Sequence, residues 1–458
     1  MQQLDCLFIN PRDLVGVSPY VKLAEWAAVS RAAGLMVKII EPAAEGTDNA
    51  TIARMVQQHR PAVVCISVFP STLPDAYKLI QFIKEISSSK IVLEGYYVNA
   101  DPKAVSHLNA DYGFRGDADF SFTRLLQHIK AGKEVLSDLE GLVINVKGKL
   151  IINEPAFIRD INLLPIPAFD LLPIGKYYSA STSSRYMMLF TTRGCPYKCN
   201  FCASGFQMNY RYLSIENIMA RLRFLVKDLG VRWVEFMDLT FTVNKRHILE
   251  LCAAIKAEGL YFEWGCETRA DKVDAELLKQ MKAAGCSKIT FGVESGSEKV
   301  RSLTGKKISN HRYKEVFDLC RELGIKTMAN FIFGHPGETL QDMEATINLA
   351  MKLRPFNILF TRMIPLPDVE VFKIAVQEGK VSSDVWQQYM RSEVELPVYV
   401  PGNISRAQLD RIYRKAYFKF YFSPRTLVGY LPLFKNLCFL KNTVRFYLPL
   451  AFGSVKFK

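Results

Sequence analysis

Arg193-Gly194-Cys195-Pro196-Tyr197-Lys198-Cys199-Asn200-Phe201-Cys202 sets three cysteines at the spacing C-x3-C-x2-C, directly behind an apolar run, Met187–Thr192, that reads as a strand. Three thiolates this close can ligate three irons of a 4Fe-4S cube from one loop. The fourth iron then has no protein ligand and stays open to a small molecule. Zinc is the competing reading, but a structural zinc site needs four ligands, usually a second C-x2-C or a His pair. The chain has six histidines, none within forty residues of the triad, and no second cysteine pair. The seven other cysteines, Cys6, Cys65, Cys252, Cys266, Cys286, Cys320 and Cys438, stand singly in apolar surroundings and read as small core residues.

Outward from the triad, strands alternate with helices. Strands are expected at Met187–Thr192, Trp233–Met237, Phe262–Glu267, Ile289–Glu294, Thr327–Phe333 and Ile358–Arg362, with helices such as Ile215–Lys227, Lys245–Ala257, Ala275–Ala284, Tyr313–Leu323 and Leu340–Lys352 between them. Six such units in about 180 residues suit a partial parallel barrel, with function at the carboxyl ends of its strands. The first 135 residues alternate too: strands at 4–9, 36–40, 62–67, 91–93 and 112–114, helices at 20–33, 51–59, 76–87 and 120–130. That pattern implies a doubly wound parallel sheet, which binds ligands beyond its strand ends. A hairpin turning at Lys147-Gly148-Lys149 and a connector with Pro155, Pro165, Pro167 and Pro173 separate the two halves. The fold class is therefore α/β: an N-terminal doubly wound Rossmann-like sheet over 1–135, a linker with hairpin over 136–185, a partial (β/α)6 barrel over 186–400 and a basic, aromatic helical extension over 401–458.

At C-x3-C-x-aromatic-C, with Phe201 as the aromatic, the chain resembles the radical S-adenosylmethionine (SAM) superfamily. The resemblance implies that Cys195, Cys199 and Cys202 hold a 4Fe-4S cluster whose open iron takes the amino and carboxylate groups of SAM. It also implies reductive cleavage of SAM to a 5′-deoxyadenosyl radical that abstracts a substrate hydrogen. Further segments match at the expected strand ends. Phe236-Met237-Asp238-Leu239-Thr240-Phe241-Thr242 is similar to F-x-D-D-x-F-T, which would put Asp238 at the SAM amino group, although Leu239 replaces the second acid. In Glu267-Thr268-Arg269-Ala270-Asp271, Glu267 and Arg269 would meet the amino-acid or ribose part. Gly292-Val293-Glu294-Ser295-Gly296-Ser297 places Glu294 and Ser295 near ribose, and Phe333-Gly334-His335-Pro336-Gly337-Glu338 brings the backbone at Gly334 past the adenine.

The N-terminal half resembles the cobalamin-binding domain of one large branch of that superfamily. The matching positions are Asn10 after the first strand, Ser67 after the third, Gly95 after the fourth and Gly116 in Arg115-Gly116-Asp117-Ala118-Asp119, and they imply cobalamin contacts. Glu94-Gly95 stands where the branch usually has two glycines. No D-x-H-x-x-G signature occurs, and the first histidine is His59, so no histidine of the first two strand–helix units can ligate cobalt. The competing reading is a degenerate domain kept as a lid.

Net charge is +14, of which +10 lies between Arg411 and Lys458, a stretch without Asp or Glu. Ser405-x-x-Gln408 starts a helix carrying Arg411, Arg414, Lys415 and Lys419 among Tyr413, Tyr417, Phe418, Phe420, Tyr421 and Phe422. Basic and aromatic side chains together suit an anionic membrane face. The same helix could close the open edge of the barrel, while nucleic acid is the less favoured partner. Met1-Gln2-Gln3-Leu4-Asp5 has no secretory character, which points to the reducing cytoplasm, with the inner membrane face as a contact.

The function expected is cobalamin-dependent methyl transfer to an unactivated carbon of an apolar or lipid-like small molecule, with flavodoxin or ferredoxin as electron donor. A radical SAM cyclase or rearrangement enzyme without methyl transfer, and a non-catalytic iron–sulfur redox sensor, are the rivals. No general base can be read from the sequence, so the catalytic residues stay unassigned.

Overall fold

The computed structural model describes residues 3–12, 18–133, 138–179, 184–203 and 209–430. They fall into two compact units. One runs to Tyr177 and includes Asp384–Glu395; the other comprises Tyr178–Ser383 and the chain from Leu396.

In the first unit, β1 (Cys6–Ile9), β2 (Val37–Ile40), β3 (Val63–Ser67), β4 (Lys90–Glu94) and β5 (Tyr112–Phe114) pair in parallel in the order β2-β1-β3-β4-β5. β1 and β3 are buried along their whole length, as expected for strands covered by helices on both faces. Trp26, from the helix Val21–Ala32, stacks on Phe122 at 4.5 Å and meets Phe114 edge-on, which closes one face. The order reverses between β1 and β3, so the ligand crevice of such a sheet lies beyond Ile9 and Ser67.

The hairpin of β6 (Leu142–Val146) and β7 (Lys149–Ile152) belongs to this sheet rather than to a free linker, because β6 pairs antiparallel with β5. Its two turn residues, Lys147 and Gly148, both have positive φ, the turn whose twist matches a hairpin. The helix Val385–Met390 also joins this unit, with Trp386 against Tyr97. The boundaries expected at 135, 185 and 400 therefore differ from the compact units.

In the second unit, β8 (Tyr186–Leu189), β11 (Trp233–Phe236), β12 (Glu263–Thr268), β13 (Cys286–Glu294), β14 (Lys326–Phe333) and β15 (Asn357–Arg362) run parallel in the order β8-β11-β12-β13-β14-β15. A short antiparallel pair, β9 (Thr192–Arg193) and β10 (Arg211–Tyr212), stands at the triad. The strand expected over 187–192 thus breaks after Leu189. Sequential parallel strands put their crossover helices on one face. That face takes the buried apolar set Leu189, Phe236, Cys266, Phe291, Ala329 and Phe360. The alternating residues, including Met188, Glu235, Glu267, Thr290, Met328 and Asn330, line the inner face.

The edge strand β15 is covered by the helix Arg406–Tyr421, which opens on a capping box of Ser405 and Gln408. The Tyr417 hydroxyl donates to Phe360 O (2.8 Å) and accepts from Phe360 N (3.1 Å). The Tyr421 hydroxyl donates to Asn357 Oδ1 at 2.6 Å, and Tyr430 donates to Phe356 O at 2.8 Å. These tyrosines satisfy backbone groups that an open edge would expose. Four of the six aromatics expected to face a membrane, Tyr413, Tyr417, Phe420 and Tyr421, are therefore buried against the barrel, while Phe418 and Phe422 are exposed. The aromatics expected beyond Tyr430 lie outside the described residues. Among the described residues no helix is long and apolar enough to cross a membrane.

Candidate functional site

The break after Leu189 has a cause. Asp238, just past β11 and 1 % exposed, accepts four hydrogen bonds: from Thr191 N (2.8 Å), Thr191 Oγ1 (2.6 Å), Thr192 N (2.6 Å) and Thr192 Oγ1 (2.7 Å). Burial pushes its carboxyl above the ordinary range, and the threonine donors oppose the shift. Asp238 was expected at the SAM amino group. In the structure it holds the root of the cysteine loop.

The loop then turns at Gly194, with φ +83°. Cys195 is buried, its Sγ 3.9 Å from Thr240 Oγ1, while Cys199 and Cys202 are partly exposed. On its far side the loop rests on the turn 303–305: Asn200 Nδ2 donates to Leu303 O at 3.1 Å and Asn200 N to Thr304 O at 3.4 Å. Gly305 has φ +83°, and a Cβ there would lie 2.8 Å from Lys198 O, so only glycine allows this contact.

Lys306 follows at once. It is buried, donates to Glu294 Oε1 (2.7 Å) and Gly292 O (2.9 Å), and its charge opposes the burial that raises the Cys199 thiol. Nothing in the sequence marks Lys306, because its partners lie twelve and fourteen residues earlier. Arg269 forks onto Asp271 (3.0 and 2.9 Å), and its guanidinium stacks 4.0 Å over the Tyr197 ring. Its buried Nη1 makes no hydrogen bond to the described residues. Glu267 stands on the inner face, reachable by solvent yet crowded enough that burial raises its carboxyl.

Two further expected contacts, Ser295 and Gly334, have protein partners. Ser295 is fully buried; its Oγ lies 3.2 Å from Thr346 Oγ1 and accepts from Ser297 N, so it shapes the turn after β13. Gly334 N donates to Glu338 Oε2 at 2.6 Å, and His335 N to the same oxygen at 3.0 Å. The backbone N–H at Gly334 is thus turned into the protein. Burial pushes the Glu338 carboxyl up to about 8. His335 itself lies edge-on to Phe201, with ring centroids 5.7 Å apart, and neither ring nitrogen has a hydrogen-bond partner among the described residues.

The donor set suits a cluster. Three thiols on one loop, braced by Asp238 on one side and by the 303–305 turn on the other, can reach separate irons. Among the described residues no three His, Cys, Asp or Glu side chains gather tightly enough for a single metal ion.

In the first unit, polar side chains line the strand ends at the switch point. Ser67 Oγ donates to Asn10 Oδ1 (2.7 Å), and Asn10 Nδ2 donates to Glu41 Oε2 (3.0 Å). Glu41 Oε1 accepts from Tyr20 N (3.2 Å), and the Tyr20 hydroxyl donates to Glu94 Oε2 (3.2 Å). Burial lifts the Glu41 carboxyl to about 7 and that of Glu94 to about 8. Asn10 and Ser67 are thus brought together at this strand end. A Cβ on Gly95 would lie 2.8 Å from Val68 O, and one on Gly116 would strike Ala156 O. Both allow close packing of the chain on itself. Buried polar groups at a strand-end crevice, one carboxyl oxygen of Glu94 lacking a partner among the described residues, fit a large polar cofactor.

Comparison with known proteins divides the chain in the same way. The model of the B12 binding domain matches residues 15–126, and that of the Radical SAM superfamily matches residues 189–350. An uncharacterized methyltransferase of Pyrococcus horikoshii is 31 % identical over 86 % of this chain and 85 % of its own length. The hopanoid C-3 methylase of Methylococcus capsulatus is 27 % identical over 71 % of this chain and 64 % of its own length. Among solved structures, the radical SAM methyltransferase TsrM of Kitasatospora setae, with tryptophan and a SAM analogue bound, superimposes with a TM-score of 0.73. The match is 18 % identical and covers 92 % of this chain and 89 % of that one.

Proposed function

Because the chain belongs to the radical SAM superfamily, in the branch with a B12-binding domain ahead of the barrel, we propose that it transfers a methyl group to an unactivated carbon of an apolar, lipid-like small molecule. Its cofactors are a 4Fe-4S cluster, SAM and cobalamin, which when bound supply radical chemistry and a methyl group carried on cobalt.

The observation that carries the reading is the braced cysteine loop. Cys195, Cys199 and Cys202 hold the cluster there. Arg269 keeps one free donor, Nη1, beside that loop, suited to the carboxylate of SAM. Glu294, fixed by Lys306, is the carboxylate assigned to the ribose. The edge of Phe201 bounds the adenine side. Met188, Met328, Ile332 and Leu359 on the inner face give an apolar wall for a substrate, and the hopanoid methylase among the relatives supports that class. A flavodoxin or ferredoxin serves as reductant in the cytoplasm.

Anaerobic reconstitution, reduction with SAM and labelled methyl groups, and extraction of lipids test the reading. Expected are 5′-deoxyadenosine, S-adenosylhomocysteine and label in the apolar fraction. Deoxyadenosine without methyl incorporation would favour a cyclase or rearrangement; no deoxyadenosine would favour a redox sensor. Exposed Phe418, Phe422, Leu427 and Val428, beside exposed Arg411, Arg414, Lys415 and Lys419, support contact with an anionic membrane surface. Binding to anionic but not neutral vesicles checks it, and binding to neither removes it.

A further inference from the structure

Glu94 ends β4 at the carboxyl edge of the first sheet, one strand from the switch point. Its side chain is 3 % exposed. Oε2 accepts the Tyr20 hydroxyl at 3.2 Å, while Oε1 is buried without a partner among the described residues. An unmet carboxyl oxygen in a protein interior costs about 1–3 kcal/mol, so an unpartnered one at a ligand crevice points to a ligand.

The groups around it say which kind. Lys22 is the nearby cation, but it already donates to Asp119 (3.1 and 3.2 Å) and to Glu25 (3.2 Å). Burial above all, and then Asp119 and Glu25, raise the cost of a negative charge on Glu94, and Lys22 and the Tyr20 hydroxyl only partly oppose them. Tyr20 supplies one hydrogen bond and also ties Glu94 to Glu41 through its own N–H. No histidine of the first two strand–helix units stands at this end of the sheet, since the first in the chain is His59.

We infer that Glu94 is a cobalamin-reading residue: its Oε1 hydrogen-bonds an oxygen of the corrinoid, either an amide carbonyl of the corrin rim or a phosphate oxygen of the nucleotide tail. This rests on the cobalamin assignment and goes beyond it. Both partners are acceptors, so the carboxyl must carry the proton. Burial keeps the proton there up to about pH 8. Above that pH the carboxylate would face an acceptor oxygen, and binding should weaken.

The test is equilibrium binding of methylcobalamin to the full-length, cluster-loaded protein between about pH 7 and pH 9.5, followed by absorption and without turnover. For one proton that must stay bound, affinity in the wild type should fall roughly thirty-fold over that range. Glu94→Gln keeps a donor and cannot ionise, so its affinity should be flat. Glu94→Ala should bind weakly at every pH; should it fail to fold, Glu94→Gln still decides. Methylcobinamide, which lacks the nucleotide tail, separates the two sources. A pH effect that persists assigns the corrin amide, and one that vanishes assigns the phosphate. A flat wild type, or a Glu94→Gln profile that falls like the wild type, overturns the inference while leaving cobalamin binding intact. A wild type that binds no cobalamin overturns both.

Discussion

Lys306 Nζ stands 2.7 Å from Glu294 Oε1, with both side chains only 8 % exposed, directly behind the turn that supports Cys199. Glu294 has φ +67°, a conformation that a residue with a Cβ adopts at a cost of roughly 1–2 kcal/mol. The strand register shifts between Gly292 and Glu294, and Lys306 bridges the shift by also binding Gly292 O. The ion pair thus fixes a strained strand end next to the cluster loop.

Lys306→Met leaves the Glu294 carboxylate buried without a counter-charge. Loss of one partner of a buried pair costs about 3–5 kcal/mol, or roughly 10 °C in the melting midpoint of a unit this size. Lys306→Arg should retain most of the midpoint. Thermal unfolding followed by circular dichroism measures both; an unchanged midpoint in Lys306→Met contradicts the pairing.

Asp238→Asn puts an amide N–H₂ against donors from Thr191 and Thr192. The loop root should loosen, and iron content after anaerobic reconstitution should fall well below three-quarters of wild type. Leu239→Ala, next to it but 44 % exposed, should reconstitute normally. Equal iron in Asp238→Asn and wild type would show that these four hydrogen bonds do not position the cysteines.

Tyr417→Phe deletes the hydroxyl that satisfies both Phe360 N and Phe360 O. Two buried backbone groups without partners should cost about 2–6 kcal/mol, at about 1–3 kcal/mol each. Phe418→Ala, on the exposed side of the same helix, should stay within about 0.5 kcal/mol of wild type. Chemical denaturation compares them.

His335 titrates against folding. An imidazole in the unfolded chain takes a proton near pH 6.5. Burial lowers the folded value to about 4. Between those values the unfolded chain binds the extra proton, so stability falls as pH falls, by roughly 3 kcal/mol in all. His335→Phe removes this contribution. The stability difference between variant and wild type should shift in favour of the variant from pH 6.5 downwards and be constant above it. A difference that does not change with pH would refute the buried, neutral imidazole.

Much of the fold was legible because its signals are local. The alternation that marks β11 to β15 depends on neighbours a few residues away, and the capping box at Ser405 spans three residues. The site was legible to the extent that it is local too: the three cysteines share one loop. Asp238, Ser295 and Gly334 were recognised as strand-end residues, yet their hydrogen bonds turn them into supports. Lys306 carried no signal at all, and Tyr417 read equally well as a membrane residue.

The sequence by itself pointed to three candidate cluster ligands and determined the α/β class and the presence of two cofactor-binding halves, since each rests on spacing or periodicity within a short stretch. Only the tertiary structure decided which polar side chains remain available to a ligand. Asp238 meets Thr191 across 47 residues, and Ser67 meets Asn10 across 57. A buried polar group takes whatever partner folding brings within about 3 Å. Whether Glu94 is left with an unmet oxygen while Ser295 is not depends on that encounter, which no local pattern encodes.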